Sequence, residues 1–539
     1  MKAVSDRRIE HEGPEDADIF FIQDFPSSVD DTVLRILQDR GGDLFDSVLA
    51  SFDMSRENVR IGSLLNYTPA ANTFYKASGS WQLEESQKYL TDYLKTAKHK
   101  VLVPMGQRSL DFLTSYDDID KRRGSVYKYK NFFVVPIQDP SITAIAGDRK
   151  AALIKDLDKI FRVAQHGWES PKHTMYVNPD VYQTEALLLE ILAAPRLYID
   201  IESKMHSSYI RCIGFAWEHE GELKAACFFN DGSFPDNNIG TYFRKVLNTL
   251  LLSEQPKTFH NGMFDTIMLE ANGFETKNFD YDTMIAQHVL QPELAIGLDY
   301  CASMYTDYNY YKDDGKSAGA RIDKMQLGVY NCKDVLTTAL VQQGQQEEFN
   351  DTTRAYFEYK MQQRELAMHF STTGMLVDQV RREEIDARVS EKRSEAYKTF
   401  IAIQLHYGVD LFKVSQRTKV QKFLYETLSL PLKTSKKGKA TSDEDAIVSL
   451  ISHVERKIQE LKTEKAQEPW RFKLATLKLI LTIAGYDKLL SSYVNIDLSF
   501  DGRARSWYKF WGTETGRWSA AMWYDGTGLN GQTIPREVL

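Results

Sequence analysis

Cysteine is scarce in this chain: Cys212, Cys227, Cys301 and Cys332 are the whole complement among 539 residues, and no two of them form a close pair. That scatter argues against a zinc site, an iron–sulfur cluster and a secreted disulfide framework. Positive charge is also short. The 67 Lys and Arg are outnumbered by 75 Asp and Glu, giving a formal charge of −8 and a pI of about 5.9, so no global field draws the chain to nucleic acid or to an anionic membrane. Any contact with DNA must come from local basic groups. A charge-free apolar run of membrane-spanning length is missing, and the N-terminal MKAVSDRRIEHEGPEDADIF carries charge where a signal peptide needs an apolar core. Together these absences predict a protein of the reducing cytoplasm that makes no membrane contact.

What is present is globular: 42% hydrophobic, 12% aromatic and 26% charged residues, a composition that excludes disorder and fibrous repeats. At roughly 100 to 200 residues per domain, the length predicts three or four domains with separate cores. Changes in periodicity supply boundaries. Through residues 1–165, short apolar runs (DIFFIQDF, VRIGSLLNY, HKVLVPMG, FFVVPIQDP) alternate with helical patterns, which reads as a parallel α/β domain. Residues 166–195, polar and Pro-containing and then helical at TEALLLEILAA, read as a linker and helix. Residues 196–346 begin with strand patterns and continue as helices, predicting a second α/β domain whose mixed sheet starts as a hairpin series.

Helical text dominates 347–505. Ile447, Leu450, Ile451, Val454, Ile458 and Leu461 share one helix face, with a start signposted by the capping-box spacing of Thr441 and Glu444. A second stripe, Leu474, Leu477, Leu481 and Ala484, is expected to end at Gly485, and TEKAQEP is expected to join the two helices as a polar loop.

The sharpest chemical signal lies in the second domain. In LYIDIES, Asp200 and Glu202 alternate with Ile199 and Ile201 and so project from one strand face. Two such carboxylates repel unless a cation lies between them, although a solvated edge strand explains the pattern equally well by itself. Asp265 follows a strand-like stretch in KTFHNGMFD, and Tyr330 and Asp334, four apart in a helical pattern, share a face. Four carboxylates and a tyrosine are what two hard divalent cations need: Mg2+, or Mn2+, takes carboxylate, water and phosphate oxygens, and a pair of such ions can activate a water and stabilise a leaving 3′ oxygen.

The order D-x-E, N-x-x-F-D, Y-x-x-x-D, here Asp200 and Glu202, then Asn261, Phe264 and Asp265, then Tyr330 and Asp334, resembles the three motifs of the DnaQ-like 3′-5′ proofreading exonucleases of the tyrosine-bearing subtype. The resemblance implies a ribonuclease-H-like fold, two ions held by Asp200, Glu202, Asp265 and Asp334, an attacking water oriented by Tyr330, and single-stranded 3′ ends as substrate. YDTMIAQHVLQPE, with Asp282 and Leu290, looks like the family's stretch between the second and third motifs.

Beyond residue 346, FSTTGMLVD, KFLYETLSLPLKTSKKGKATSDEDAI, YDKLLSSYV, YKFWGTETGRWSA and GLNGQTIPRE occur in the order seen in family A DNA polymerases. By that resemblance 347–505 holds a helical connector and the polymerase thumb, and 506–539 opens the palm, with Thr513, Thr515, Gly516 and Arg517 followed by Gln532, Ile534, Pro535 and Arg536. Lys433, Lys436, Lys437 and Lys439 form a local basic cluster suited to phosphates of primer-template DNA. Beside it, Gly516 would let a backbone come close and Arg517 could pair with phosphate in a fork. The family's palm carboxylates and fingers helix lie after Q-x-I-P-R, and the sequence reaches Leu539 three residues after Arg536. The expectation is an N-terminal part of a polymerase with a truncated palm, unable to polymerise unless a C-terminal polymerase chain completes it.

The first domain resembles the uracil-DNA glycosylase superfamily, whose members hydrolyse a flipped base, through Pro69 and Asn72, Gly106, Gly124, and Pro140 with Ser141. Asp139 stands where that family has a histidine, the water-activating motif is not recognisable in IQDFPSSVDD, and the cluster-binding cysteines are missing. A catalytically silent domain is expected. A glycosylase-like domain ahead of an exonuclease is similar to the replicative polymerases of large lytic bacteriophages of Gram-positive hosts, which would place the protein in an infected bacterial cytoplasm, with a processivity factor as a further candidate partner. Two alternatives remain: a non-catalytic DNA-binding or assembly subunit, and a free-standing exonuclease, against which the thumb-like and palm-like residues speak.

Overall fold

The computed structural model describes residues 4–70, 74–146, 150–204, 206–230, 239–316, 323–435 and 439–534. No helix among them is long and apolar enough to cross a membrane. The chain forms two compact units, Met1–Leu366 with Phe510–Arg517, and Ala367–Lys509 with Trp518–Leu539. Both α/β sheets lie in the first unit, so the architecture is mixed α/β and multidomain.

In the N-terminal region, strands β1 (Ile19–Gln23), β2 (Arg60–Ser63), β3 (Val101–Pro104), β4 (Tyr127–Tyr129) and β5 (Phe132–Val134) make a sheet in the order β2-β1-β3-β5-β4. All pairs are parallel except the β4–β5 hairpin. The run IFFIQ of β1 is buried at every position, as a strand covered on both faces requires. Its alternation divides the core. Ile19 and Phe21 pack with Phe45 of helix α1 (Arg40–Ala50), whereas Phe20 and Ile22 pack on the opposite side with Leu113 of α2 (Gln107–Thr114). Helix α3 (Lys150–His166) closes the first face through Leu153, Leu157 and Ile160.

The second sheet comprises β6 (Thr174–Val177), β7 (Leu197–Ser203), β8 (Ile210–His219), β9 (Glu222–Phe229), β10 (Lys257–Phe259) and β11 (Phe279–Asp282), ordered β11-β10-β7-β8-β9-β6. Strands β7, β8 and β9 are antiparallel neighbours, and β10, β11 and β6 extend the two sides in parallel. The passage 166–195 therefore supplies more than a connection: β6 is an edge strand of this sheet, and helix α4 (Val181–Ala193) follows it. Only four residues long and half-buried throughout, β6 leaves too little periodicity to be read from sequence. Helices α5 (Gly262–Ala271) and α6 (Thr283–Leu290) begin directly after β10 and β11. Helix α7 (Lys324–Gln346) covers one face, its Leu327, Cys332, Val335, Leu336 and Ala339 packing on Tyr198, Cys212, Ala216 and Cys227.

The second unit is built on long helices: α8 (Gln379–His406), α9 (Glu444–Glu460) and α10 (Glu464–Leu489). Phe400, Phe423, Leu450, Val454, Leu477, Ile480 and Ile483 form its main core. Three local expectations are corrected. The cap of α9 is Asp443, which accepts from Ala446 N at 2.9 Å, while Thr441 donates to Asp443 instead; a carboxylate also meets the positive end of the helix dipole. EKAQEP forms the first turns of α10, with Thr463 as its cap, and the loop is Leu461–Thr463. Helix α10 runs through Gly485 to Leu489, because Tyr486, Leu489 and Leu490 continue to pack on Ile385 and Val389. That packing outweighs the ~1 kcal/mol helix penalty of a glycine. Strands β12 (Ser506–Lys509) and β13 (Ser519–Met522) pair antiparallel.

Candidate metal centre

The convergence of the acids follows from two periodicities. Tyr198 of β7 belongs to the core beneath α7, so Asp200 and Glu202, two and four residues along the same strand face, also look towards that helix. On α7, Tyr330 and Asp334 lie one turn apart and face back. The carboxylate oxygens of Asp200, Glu202 and Asp334 all lie within 4.8 Å of one another. The helix can settle this low because β8 offers Gly214 opposite Asp200: a Cβ there would stand 2.4 Å from Asn331 Oδ1. Asn331 Nδ2 in turn donates to Asp200 Oδ2 at 2.7 Å, fixing that carboxylate.

Asp265 reaches the same neighbourhood from the first turn of α5 and is buried, but lies outside the tight group of three. Its Oδ1 accepts from Ile201 N at 3.0 Å, which ties it to β7 between Asp200 and Glu202. The turn that delivers it is held open by Asn261, at φ 63°, and braced from below by Asp282. The Asp282 carboxylate accepts from Asn261 N at 3.0 Å, Gly262 N at 2.8 Å and Met284 N at 2.9 Å, joining the starts of α5 and α6.

Crowded acids with little water resist ionisation. Burial, followed by the charges of Asp334, Asp265 and Glu202, pushes the Asp200 carboxyl well above its usual range. Burial and then the Asp334 charge lift Glu202 to about 8, and burial raises Asp265 against its backbone hydrogen bonds. Such a set of hard oxygens fits a divalent cation such as Mg2+ or Mn2+, which would supply the missing positive charge.

Two side chains absent from the predicted set complete the cluster. Lys312 Nζ donates to both oxygens of Asp334 at 2.7 Å and to the Tyr330 hydroxyl at 3.2 Å. Buried Tyr311 donates to Asp334 Oδ1 at 2.7 Å. Neither carries a sequence signal, because 306–311 is irregular and Lys312 opens a helix of only five residues, Lys312–Lys316; Asn331 could have been suspected from its place beside Tyr330 on the helix.

The remaining predicted residues lie elsewhere. Arg517 is exposed, in a turn where its N–H donates to Thr513 Oγ1 at 2.9 Å. Thr513 O meets His288 Nε2 at 2.9 Å, and Lys360 Nζ donates to Gly516 O at 3.1 Å. A Cβ at Gly516 would stand 2.7 Å from the Tyr356 hydroxyl, so its openness is used by the protein's own packing. Gln532 Nε2 donates to Trp518 O at 3.1 Å. Near Lys433 and Lys439, Ser435 N donates to Lys439 O at 2.8 Å and Thr441 N to Lys433 O at 3.0 Å. Lys436, Lys437, Arg536 and Asn72 fall outside the described residues.

In the N-terminal sheet the acids are spent differently. Asp24, just past β1, accepts from Arg108 N at 3.1 Å, Ser109 N at 2.8 Å and Ser109 Oγ at 3.0 Å, capping α2 from another element. Its carboxylate occupies the space a Cβ on Gly106 would need. Asp39 caps α1 through Gly41 N and Gly42 N, and Asp139 accepts from Ser141 N at 2.8 Å.

Residues 180–348 match the family model for the 3′-5′ exonuclease of family A DNA polymerases. The match takes in α4 as well as the six acids and hydroxyls of the cluster. A DNA polymerase of Bacillus phage SP01 is 20% identical over 303 residues, which is 50% of this chain and 32% of that protein. The chain thus spans about a third of the length of this curated relative. Among solved structures, the POL domain of Pol1 from M. smegmatis, in complex with DNA primer-template and dNTP, is 16% identical with a TM-score of 0.46, covering 67% of this chain and 57% of that one. The matched region, 180–348, is thus similar to a 3′-5′ exonuclease domain, a nuclease type.

Proposed function

We propose that residues 196–346 form a two-metal 3′-5′ proofreading exonuclease and that the chain is part of a phage-type family A replicative polymerase. The convergence of Asp200, Glu202 and Asp334 oxygens within 4.8 Å, in a region matching a 3′-5′ exonuclease, carries this reading. Asp200, Glu202, Asp265 and Asp334 would hold two Mg2+ or Mn2+ ions. Bound there, the ions supply charge stabilisation for the attacking water and the departing 3′ oxygen. Tyr330 orients the water from its place one turn before Asp334. Asn331 fixes the Asp200 carboxylate, and Asp282 holds the turn bearing Asn261, which faces the single-stranded 3′ end.

On this reading 347–505 is connector and thumb and 506–539 the start of the palm, with Lys433, Lys436, Lys437, Lys439, Arg517, Gln532 and Arg536 directed at primer-template DNA. Polymerisation belongs to the whole protein, with a C-terminal polymerase part. Residues 1–165 are a glycosylase-like domain without glycosylase activity, a reading supported by Asp24 and Asp139 being engaged in backbone hydrogen bonds. The decisive experiment incubates the chain with Mg2+ and a 3′-mismatched primer. Degradation from the 3′ end is expected, and equal degradation by an Asp200→Ala, Glu202→Ala variant would sink the assignment. Uracil excision from a labelled oligonucleotide would overturn the silent-domain reading, and an unchanged salt slope for duplex binding in Arg517→Ala would remove Arg517 from the interface.

A further inference from the structure

The segment 306–313 belongs by sequence to the second α/β region but is gripped by the first. Lys159 Nζ donates to Thr306 O at 2.9 Å, and Trp168 Nε1 to Asp307 O at 3.3 Å. Asn309 pairs with Val126 in both directions, accepting from its N at 2.7 Å and donating to its O at 2.8 Å. Tyr310 N then donates to Ser125 Oγ at 3.0 Å. The next residues along this strap are Tyr311 and Lys312, both bonded to Asp334. The Lys312–Asp334 pair is well shielded, with side-chain exposures of 15% and 5%.

We propose that Lys312 is a built-in competitor for the cation at Asp334, and that the N-terminal domain, by holding the strap through Asn309, sets how tightly the exonuclease site binds metal. The inference rests on the metal-site reading given above. An ammonium bridging both Asp334 oxygens neutralises the charge a metal would use. A divalent ion on the same carboxylate would sit within a few ångströms of it, and like charges at that range repel strongly where water is scarce. Metal loading therefore requires the ammonium to retreat, and a strap anchored on the other domain resists that retreat. The same anchor gives the glycosylase-like domain a task that needs no base excision.

The test is Mn2+ binding by isothermal titration calorimetry on the full chain, run alongside thermal unfolding to verify folding. Lys312→Met is expected to bind Mn2+ at least tenfold more tightly, and Lys312→Arg, which keeps the charge, to stay near the unmodified chain. Asn309→Ala, at a side chain bonded to Val126 and to none of the proposed ligands, is expected to tighten binding at least threefold but to add nothing in the Lys312→Met background. Equal or weaker binding by Lys312→Met overturns the competitor role. Unchanged affinity in Asn309→Ala, or additive effects in the double variant, overturns control by the N-terminal domain, and Asn309→Ala alone decides if Lys312→Met fails to fold. Failure of the unmodified chain to bind Mn2+ would overturn the metal site itself and this proposal with it. Normal binding with no response to Lys312→Met would overturn only the proposal.

Discussion

Two α/β sheets in one unit place acids near the ends of their strands and use them in opposite ways. In the N-terminal sheet, Asp24, Asp39 and Asp139 each face backbone N–H groups at a turn or helix start, so their charge meets fixed dipoles, only in part for Asp139, which burial still holds above its ordinary range. In the second sheet, Asp200, Glu202 and Asp334 face one another. Acids turned onto backbone N–H groups serve the fold; acids that converge on one another, met only by the side chains of Asn331, Tyr311 and Lys312, make a place for a cation. The contrast separates a stabilising acid from a chemical one, a distinction that residue type alone does not make.

The largest expected effect tests the chemical half. Replacing Asp200 and Glu202 together by alanine should cost at least ~10³-fold in 3′-end degradation, since the charge-stabilising ions lose their ligands. The paired change Asp24→Ala, Asp139→Ala should leave the degradation rate within about twofold, measured on the same mismatched primer. A large loss in both would erase the contrast. Next, Asn331→Ala should weaken Mn2+ affinity about 10- to 100-fold by freeing the Asp200 carboxylate, as losses of such supporting hydrogen bonds do; calorimetry reads this directly.

The same carboxylates predict a pH dependence. Glu202, raised to about 8 by burial and the Asp334 charge, must lose its proton to accept a cation, so metal affinity should climb as pH rises from 6 to 8 and level off above that. A flat profile would show that Glu202 is ionised throughout and that the site is less crowded than its geometry implies.

The smaller effects test the structural half. Asp24→Ala removes the cap of α2 and should cost about 1–2 kcal/mol, seen as an earlier thermal transition of the N-terminal region. Asp139 is raised to about 6 by burial, against an ordinary 3.8. Between those values the folded state binds the extra proton, so this group's contribution falls as pH rises from about 4 to 6. Its penalty reaches up to about 3 kcal/mol above pH 6. Asp139→Asn should therefore raise the thermal midpoint at pH 7 and leave it unchanged at pH 4.

Much of the acid cluster was legible because each half obeys a short period. Alternation put Asp200 and Glu202 on one face, and the four-residue step put Tyr330 and Asp334 on another. Lys312 carries no such signal, because it stands between the irregular 306–311 and a helix too short, Lys312–Lys316, to show a period. The helix ends were misread for a related reason. Thr441 with Glu444 satisfies the capping-box pattern and Gly485 the stop signal, yet Asp443 was the better acceptor and the core around Ile483 and Leu490 carried α10 onward. The edge strand β6 was hidden by its shortness.

That edge strand bears on how the second sheet could be isolated. A chain cut at Arg196 would keep every proposed metal ligand and still lose Thr174–Val177, the parallel partner of Lys224, Ala225, Ala226 and Cys227. The outer rim of β9 would then present unpaired N–H and C=O groups beside small apolar side chains, an open invitation to strand-to-strand association. Self-aggregation of such a fragment would reflect a bared rim rather than a fault in the carboxylate cluster, and beginning upstream of Thr174 should suppress it.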